Sequence, residues 1–195
     1  MCLKPLLKPG HVYKRFTLAS GKKVTLRVLR WEDLQALLSF INNLVEEKQG
    51  DSRSSLYTGF DRRATREQEA EWLAQTLVGM EKGDVLNGVA EISGNIVANG
   101  EVTRGRYKDT RHHGQMGLTI IRKYRGQGIG RKMIETLVRE SRRAGLRTLN
   151  VEFLAGNEAA QRAYEKAGFK QAGIIPHKVF RGGKHFDALI MSREL

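Results

Sequence analysis

Apolar residues recur along this chain at two spacings, and the changes of spacing divide it into elements. Residues 11–20 and 23–30 read as two strands around a turn at Ser20, Gly21 and Lys22. Residues 31–48 change to helical spacing, with Leu34, Leu37, Leu38, Ile41, Leu44 and Val45 on one face. The polar, glycine-containing stretch 49–61 reads as a loop. Thr65 and Gln68 then stand at capping-box spacing, opening a second helix whose apolar side carries Trp72, Leu73, Leu77 and Met80. Strand patterns follow over 85–92 and 96–103, flanking the tight turn Ser93, Gly94, Asn95. After a basic loop over 105–111, residues 116–121 give another strand. Residues 128–144 form an amphipathic helix, with Ile129, Met133, Ile134, Leu137 and Val138 inward and Gly145 as its stop. A strand over 148–154, a short helix over 157–167 ended by Gly168, and two strand-like runs around Arg181, Gly182, Gly183 and Lys184 complete the chain. This order predicts an α/β (α+β) layered fold with a largely antiparallel sheet.

Composition narrows the class. At 195 residues, with 40% apolar and 28% charged, the chain suits one globular domain with a real core. No apolar run approaches the ~20 residues of a membrane span. The first ten residues, holding Pro5, Pro9 and Gly10, read as a loose arm without the apolar stretch of a secretory leader. Cys2 is the single cysteine, so no internal disulfide can form, and a cytoplasmic location is expected. A net charge of +13 attracts polyanions at long range: nucleic acid, ribosomal surfaces or phosphorylated cofactors. It disfavours free polycations, and it equally serves solubility alone.

Candidate chemistry centres on residues 124–131, YRGQGIGR, between an apolar strand and an amphipathic helix. Gly126, Gly128 and Gly130 remove side chains where the backbone turns tightly or a ligand comes close. A helix start offers free N–H groups and the positive end of its dipole, which suits phosphate, and Arg122, Lys123, Arg125, Arg131 and Lys132 add charge. Two other glycine-loop patterns fail: Arg131 stands where a dinucleotide fingerprint needs its last glycine, and no glycine–lysine pair follows Gly126 at P-loop spacing. His11, His112, His113, His177 and His185 form no ligand spacing with cysteines or carboxylates, so no metal is expected.

Arg125, Gly128 and Gly130 match the [QR]-x-x-G-x-[GA] signature of the GNAT N-acetyltransferases, which the chain resembles. Gly117, Leu118, Thr119, Ile120 and Ile121 are similar to the strand preceding that signature. Asn157, Ala160, Tyr164, Gly168 and Phe169 are similar to the family's second cofactor segment. The resemblance runs from Val24 onward, leaving residues 1–23 as an N-terminal extension that would supply an extra strand, and an edge strand there would support a homodimer. It implies the GNAT fold over 24–195, splayed at the acetyl-CoA strand. It implies that Leu118, Thr119 and Ile120 line the pantetheine arm, with the backbones of Leu118 and Ile120 paired to it. It implies that Arg125, Gly126, Gln127, Gly128, Ile129, Gly130 and Arg131 hold the pyrophosphate, and that Asn157, Ala160 and Tyr164 belong to the second segment. Tyr164 would protonate the leaving thiolate, although Phe153, Tyr164 and Phe169 also read as core aromatics. Asn157 also reads as a helix N-cap.

The implied activity is transfer of acetyl from acetyl-CoA to a primary amine, by direct attack, with no covalent enzyme intermediate. The amine must attack uncharged, which calls for a base. Glu101 sits where several family members place such a glutamate, and reads equally as a solvated strand carboxylate. His112 and His113 are lesser candidates, of which at most one faces inward. His177, His185 and Asp187, in the last hairpin, are secondary acceptor-pocket candidates. The acceptor stays open between a protein N-terminus, a lysine and a small amino compound. The alternative is a basic nucleic-acid or ribosome-binding module with a vestigial acetyltransferase fold. The dispersed basic residues and the lack of an aromatic-interleaved RNA motif weigh against it.

Overall fold

The structure is a computed structural model that describes residues 8–51, 54–57, 59 and 61–195. Cys2, most of the expected arm and part of the 49–61 loop lie outside the described residues. Among the described residues eight strands form one sheet: β1 (Val12–Thr17), β2 (Lys23–Arg27), β3 (Val85–Ile92), β4 (Asn95–Arg104), β5 (His113–Ile120), β6 (Thr148–Leu154), β7 (Lys170–Arg181) and β8 (Lys184–Glu194). Their order is β1-β2-β3-β4-β5-β6-β8-β7. Every neighbouring pair is antiparallel except β5 and β6, which run parallel and are joined through a crossover helix. Helices α1 (Leu34–Gly50) and α2 (Arg66–Glu81) cover one face, and α3 (Ile129–Arg143) and α4 (Glu158–Lys166) cover the other. Among the described residues no helix is long and apolar enough to cross a membrane.

The expected elements are present, and their departures have local causes. The helix expected over 31–48 begins as a single 3-10 turn, Trp31–Asp33, before α1. Asp33 is buried there and holds Arg27 of β2 in a two-pronged ion pair at 2.7 Å, so the chain first turns to bring these charges together. Strand β5 starts at His113, three residues before the apolar pattern announces it. Gly114 hides that start: a Cβ there would come within 3.0 Å of Val102, Leu149 and Leu146, so an inward position carries no side chain. Thr65 caps α2 as expected, its hydroxyl accepting from the Gln68 N–H while the Gln68 side chain accepts from the Thr65 N–H.

Helix α3 buries Ile129, Met133, Ile134 and Leu137 almost completely, each burial contributing roughly 1.5–3 kcal/mol. This face meets β3, β4 and β5, and it seats the start of α3 against the end of β5. Arg104, at the end of β4, is itself buried. Its guanidinium donates to the carbonyls of Gly83, Arg111 and Ala144, which joins the turn after α2 on one face to the end of α3 on the other. Arg104→Met keeps the apolar stem and leaves these carbonyls unpaired, so urea unfolding should show a loss of roughly 2–4 kcal/mol.

Candidate functional site

The parallel ladder between β5 and β6 stops early. It runs from His113↔Thr148 to Met116↔Val151, while both strands continue beyond. The N–H of Ile121 donates to the Val97 carbonyl on β4. Period two therefore turns the polar backbone groups of Leu118 and Ile120 the other way, into the gap beside β6. The gap exists because the crossover through α3 draws β5 away toward the helix start, while β6 follows β8.

The turn between β5 and α3 lies at the end of this gap. Gly126 and Gly128 adopt φ of 72° and 84°, left-handed values that favour glycine. Gly130 serves close approach, since a Cβ there would lie 3.1 Å from Ile120 Cδ1. The cap position, Gly128, brings no capping side chain. Among the described residues the N–H groups of residues 126–131 meet no backbone or side-chain acceptor, and the first bond of the helix runs from Lys132 N–H to Gly128. Six open donors at a helix start have the arrangement that suits an anion.

Arg125 departs from the expectation that it adds charge to this site. Its Nε donates to the Ile120 carbonyl at 2.8 Å, and its two terminal nitrogens grip Glu47 of α1 at 2.7 and 2.8 Å. The side chain is a clamp between strand end and helix α1, and the Arg125 backbone is what faces the turn. Glu47 was invisible as its partner, being 78 residues away in sequence. Arg131 is likewise paired along the helix with Glu135 at 2.8 Å, whereas Lys123 lies over the Tyr124 ring and Lys132 over Phe16.

On the face covered by α1 and α2, Glu101 lies across from Gly117 of β5. A Cβ on Gly117 would meet nothing, so Glu101 borders open space beside the gap. Burial pushes the Glu101 carboxyl above the usual carboxylate range, partly offset by the Thr103 hydroxyl donating to it at 3.1 Å. Next along the strands, Asn99 and Thr119 face each other and floor a cavity of about 120 Å³. Phe40 and aliphatic residues of α1 wall it, with Trp72 and Glu69 from α2. Glu69 was not anticipated. It begins the inward stripe Glu69, Leu73, Thr76, Met80, and its spacing of four before Leu73 was the available signal.

Residues 54–57, after α1, are tied to the sheet beside this cavity. Arg181 of β7 donates to the carbonyls of Ser54 and Leu56 at 2.8 and 2.6 Å, and the Tyr57 hydroxyl donates to Glu152 of β6 at 2.6 Å. Burial, together with the adjacent Glu152 carboxylate, pushes the Tyr57 phenol up to about 12.

Tyr164 is buried on the other face, stacked on Phe153 at 5.7 Å and edge-on to Phe169 at 5.3 Å. Its hydroxyl makes no hydrogen bond among the described residues, and burial raises its pKa, keeping the proton on. Asn157 caps α4, its Oδ1 accepting from Ala160 N–H at 3.1 Å. His113 bonds Thr148 at 2.9 Å at the paired end of β5 and β6, away from the gap, and His112 is exposed. His177 and Asp187 are joined within the last hairpin, the His177 N–H donating to Asp187 Oδ1 at 2.8 Å. Among the described residues no group of histidine, cysteine or carboxylates has metal-binding geometry.

The sequence pattern of the Acetyltransferase (GNAT) family matches residues 43–169. YwnH of Bacillus subtilis (strain 168), provisionally described as a phosphinothricin acetyltransferase, is 26% identical over 176 residues, covering 88% of this chain and 99% of YwnH. The [ribosomal protein bS18]-alanine N-acetyltransferase of Escherichia coli (strain K12) is 38% identical over 69 residues, covering 35% of this chain and 47% of that protein. Among solved structures, a GNAT-family acetyltransferase from Streptococcus pneumoniae superposes with a TM-score of 0.76 at 22% identity, covering 88% of this chain and 99% of that one. YncA of Salmonella typhimurium, solved with its cofactor acetyl-CoA, has a TM-score of 0.73 at 20% identity, covering 88% and 94%. The chain belongs to the GNAT family of acetyltransferases.

The Arg125–Glu47 clamp makes a measurable claim. In a double-mutant cycle of Arg125→Met and Glu47→Gln followed by urea unfolding, the pair should show a coupling of roughly 1–3 kcal/mol. Additive losses would mean that the two residues act separately.

Proposed function

We propose that this protein transfers the acetyl group of acetyl-CoA to the primary amine of a small amino compound, by direct attack. The observation that carries the reading is the parting of β5 and β6 beyond Met116 and Val151, next to six open amides at the start of α3. An extended amide-bearing chain ending in a pyrophosphate fits that pair of features: strand-edge groups on one side and an anion cradle at the end. Acetyl-CoA, when bound, supplies an activated thioester carbonyl.

The chain's own residues divide the remaining tasks. Residues 126–131 hold the pyrophosphate through their N–H groups, and Leu118 and Ile120 line the gap. The Leu118 N–H stabilises negative charge developing on the carbonyl oxygen. Glu101, through a water over Gly117, takes the proton that leaves the acceptor's ammonium form. The new C–N bond forms as the C–S bond breaks, and Tyr164, still protonated, donates to the departing sulfur. Asn157 and Ala160 set the start of α4, which positions Tyr164. The acceptor enters from the α1–α2 face. The Ser54 and Leu56 carbonyls tied to Arg181, and Tyr57 tied to Glu152, narrow that entrance, which favours a small molecule over a polypeptide.

Thiol release from acetyl-CoA with a panel of amines tests the reading. Gly128→Glu places a carboxylate among the open amides, at a position with φ of 84°. It should abolish acetyl-CoA binding in calorimetry. Unchanged affinity would remove the assigned cradle. Salt-dependent nucleic-acid binding with no thiol release by the wild type would favour a binding module instead.

Glu101→Gln should lower kcat by roughly 100-fold or more and leave acetyl-CoA affinity within about twofold. The base works ionised, and burial raises its pKa. Wild-type kcat should therefore fall as pH drops through that raised value, which lies above the ordinary 4.5. An unchanged pH–rate profile in the variant would exclude Glu101.

A further inference from the structure

Helix α2 turns one acid inward where its pattern calls for an apolar residue. Glu69 is 4% exposed, its carboxylate keeps its remaining exposure toward the cavity, and among the described residues it makes no hydrogen bond and no ion pair. The proposed mechanism does not use it. Unpaired buried carboxylates are rare, because losing water costs several kcal/mol that only a counter-charge or a set of donors recovers. The start of α2 offsets part of this, since its dipole favours negative charge in the first turn. The other residues lining the cavity are apolar or aromatic except Asn99 and Thr119.

Glu69 borders the cavity of about 120 Å³, room for about four waters at ~30 Å³ each. Its floor is Thr119, the residue after Leu118 on β5, with Asn99 opposite. Asn99 is fixed in place because its Oδ1 accepts from the Asn87 amide at 2.9 Å. Phe40 and Trp72 line the cavity, and aromatic rings attract a cation electrostatically. Among the described residues no lysine or arginine lines the cavity.

We propose that this cavity is a cation site, in which Glu69 holds a second, protonated nitrogen of the acceptor while the acceptor's other amine faces the gap beside Leu118. The inference rests on the acetyl-transfer reading for the reacting end alone. It names the acceptor class: short amines with a cationic distal group, as in an α,ω-diamine. Acceptors with a carboxylate or phosphinate at that end meet Glu69 as a like charge and are rejected. The +13 net charge does not oppose this at the site, since long-range fields are screened beyond about 8 Å at physiological salt, while a buried contact is screened far less.

The test compares 1,4-diaminobutane with n-pentylamine, which has similar length and an uncharged end. Wild type should show kcat/KM for the diamine at least tenfold above that for the alkylamine, and Glu69→Gln should erase most of that ratio through KM. Calorimetric titration of the diamine into the CoA-loaded protein reads the same site without turnover, and Glu69→Gln should weaken binding at least tenfold. The variant should melt no lower than wild type, because it replaces an unpaired buried charge with a neutral amide of the same shape. Equal diamine binding in both proteins, or a wild type that prefers the alkylamine, would overturn the cation site. Glu69-dependent diamine binding without thiol release would instead overturn acetyl transfer and leave the cation site standing.

Discussion

Backbone polar groups that leave a ladder must be satisfied by something else, and at the parting of β5 and β6 the protein keeps that requirement open. The ladder stops at Met116 and Val151, yet β5 stays extended for four more residues. Pairing with β4 on its other edge holds it straight. Arg125 then fixes the far end by taking the Ile120 carbonyl and gripping Glu47. The backbone groups of Leu118, the Ile120 N–H and the glycine turn are thus held rigid and unsatisfied together. That is the condition under which a ligand gains most, because little ordering remains to be done on binding.

Three glutamates illustrate how environment separates the roles of one residue type. Glu47 sits between Arg125 and Arg122 and is a structural counter-ion. Glu101 has one hydroxyl donor and a raised pKa beside open space, which suits a group that must gain and lose a proton. Glu69 has no protein partner among the described residues and faces a cavity lined by Phe40, Trp72 and aliphatic residues, which suits a group awaiting a charge from outside. The large positive net charge distinguishes none of these. It belongs to a surface where many arginines already pair with acids, as in Arg131 with Glu135 and Arg162 with Glu158.

What was legible in the chain was what is decided locally. The capping box at Thr65 and Gln68, the glycines at 126, 128 and 130 and the apolar stripe of α3 each act within a few residues, and each is found in place. The start of β5 was hidden because Gly114 removes the side chain that would have marked the alternation. The side chain of Arg125 was misplaced because its partner comes from a helix remote in sequence. Glu69 was missed for a related reason: which stripe of α2 is inward depends on how the helix lies on the sheet, and Trp72 and Leu77 suggested a face slightly rotated from the buried one.

These differences follow from how the two halves of the site are built. The half at the start of α3 offers main-chain N–H groups, so its mark in the sequence is glycine, at spacings fixed by the turn itself. The cavity on the other side of the sheet is walled by side chains from α1 and α2 over Asn99 and Thr119, brought together only by packing. Its chemistry can change by one inward residue of α2 without disturbing the turn. A glycine signature therefore marks the family, while the proposed choice of acceptor rests on positions such as 69 whose orientation only the folded sheet reveals.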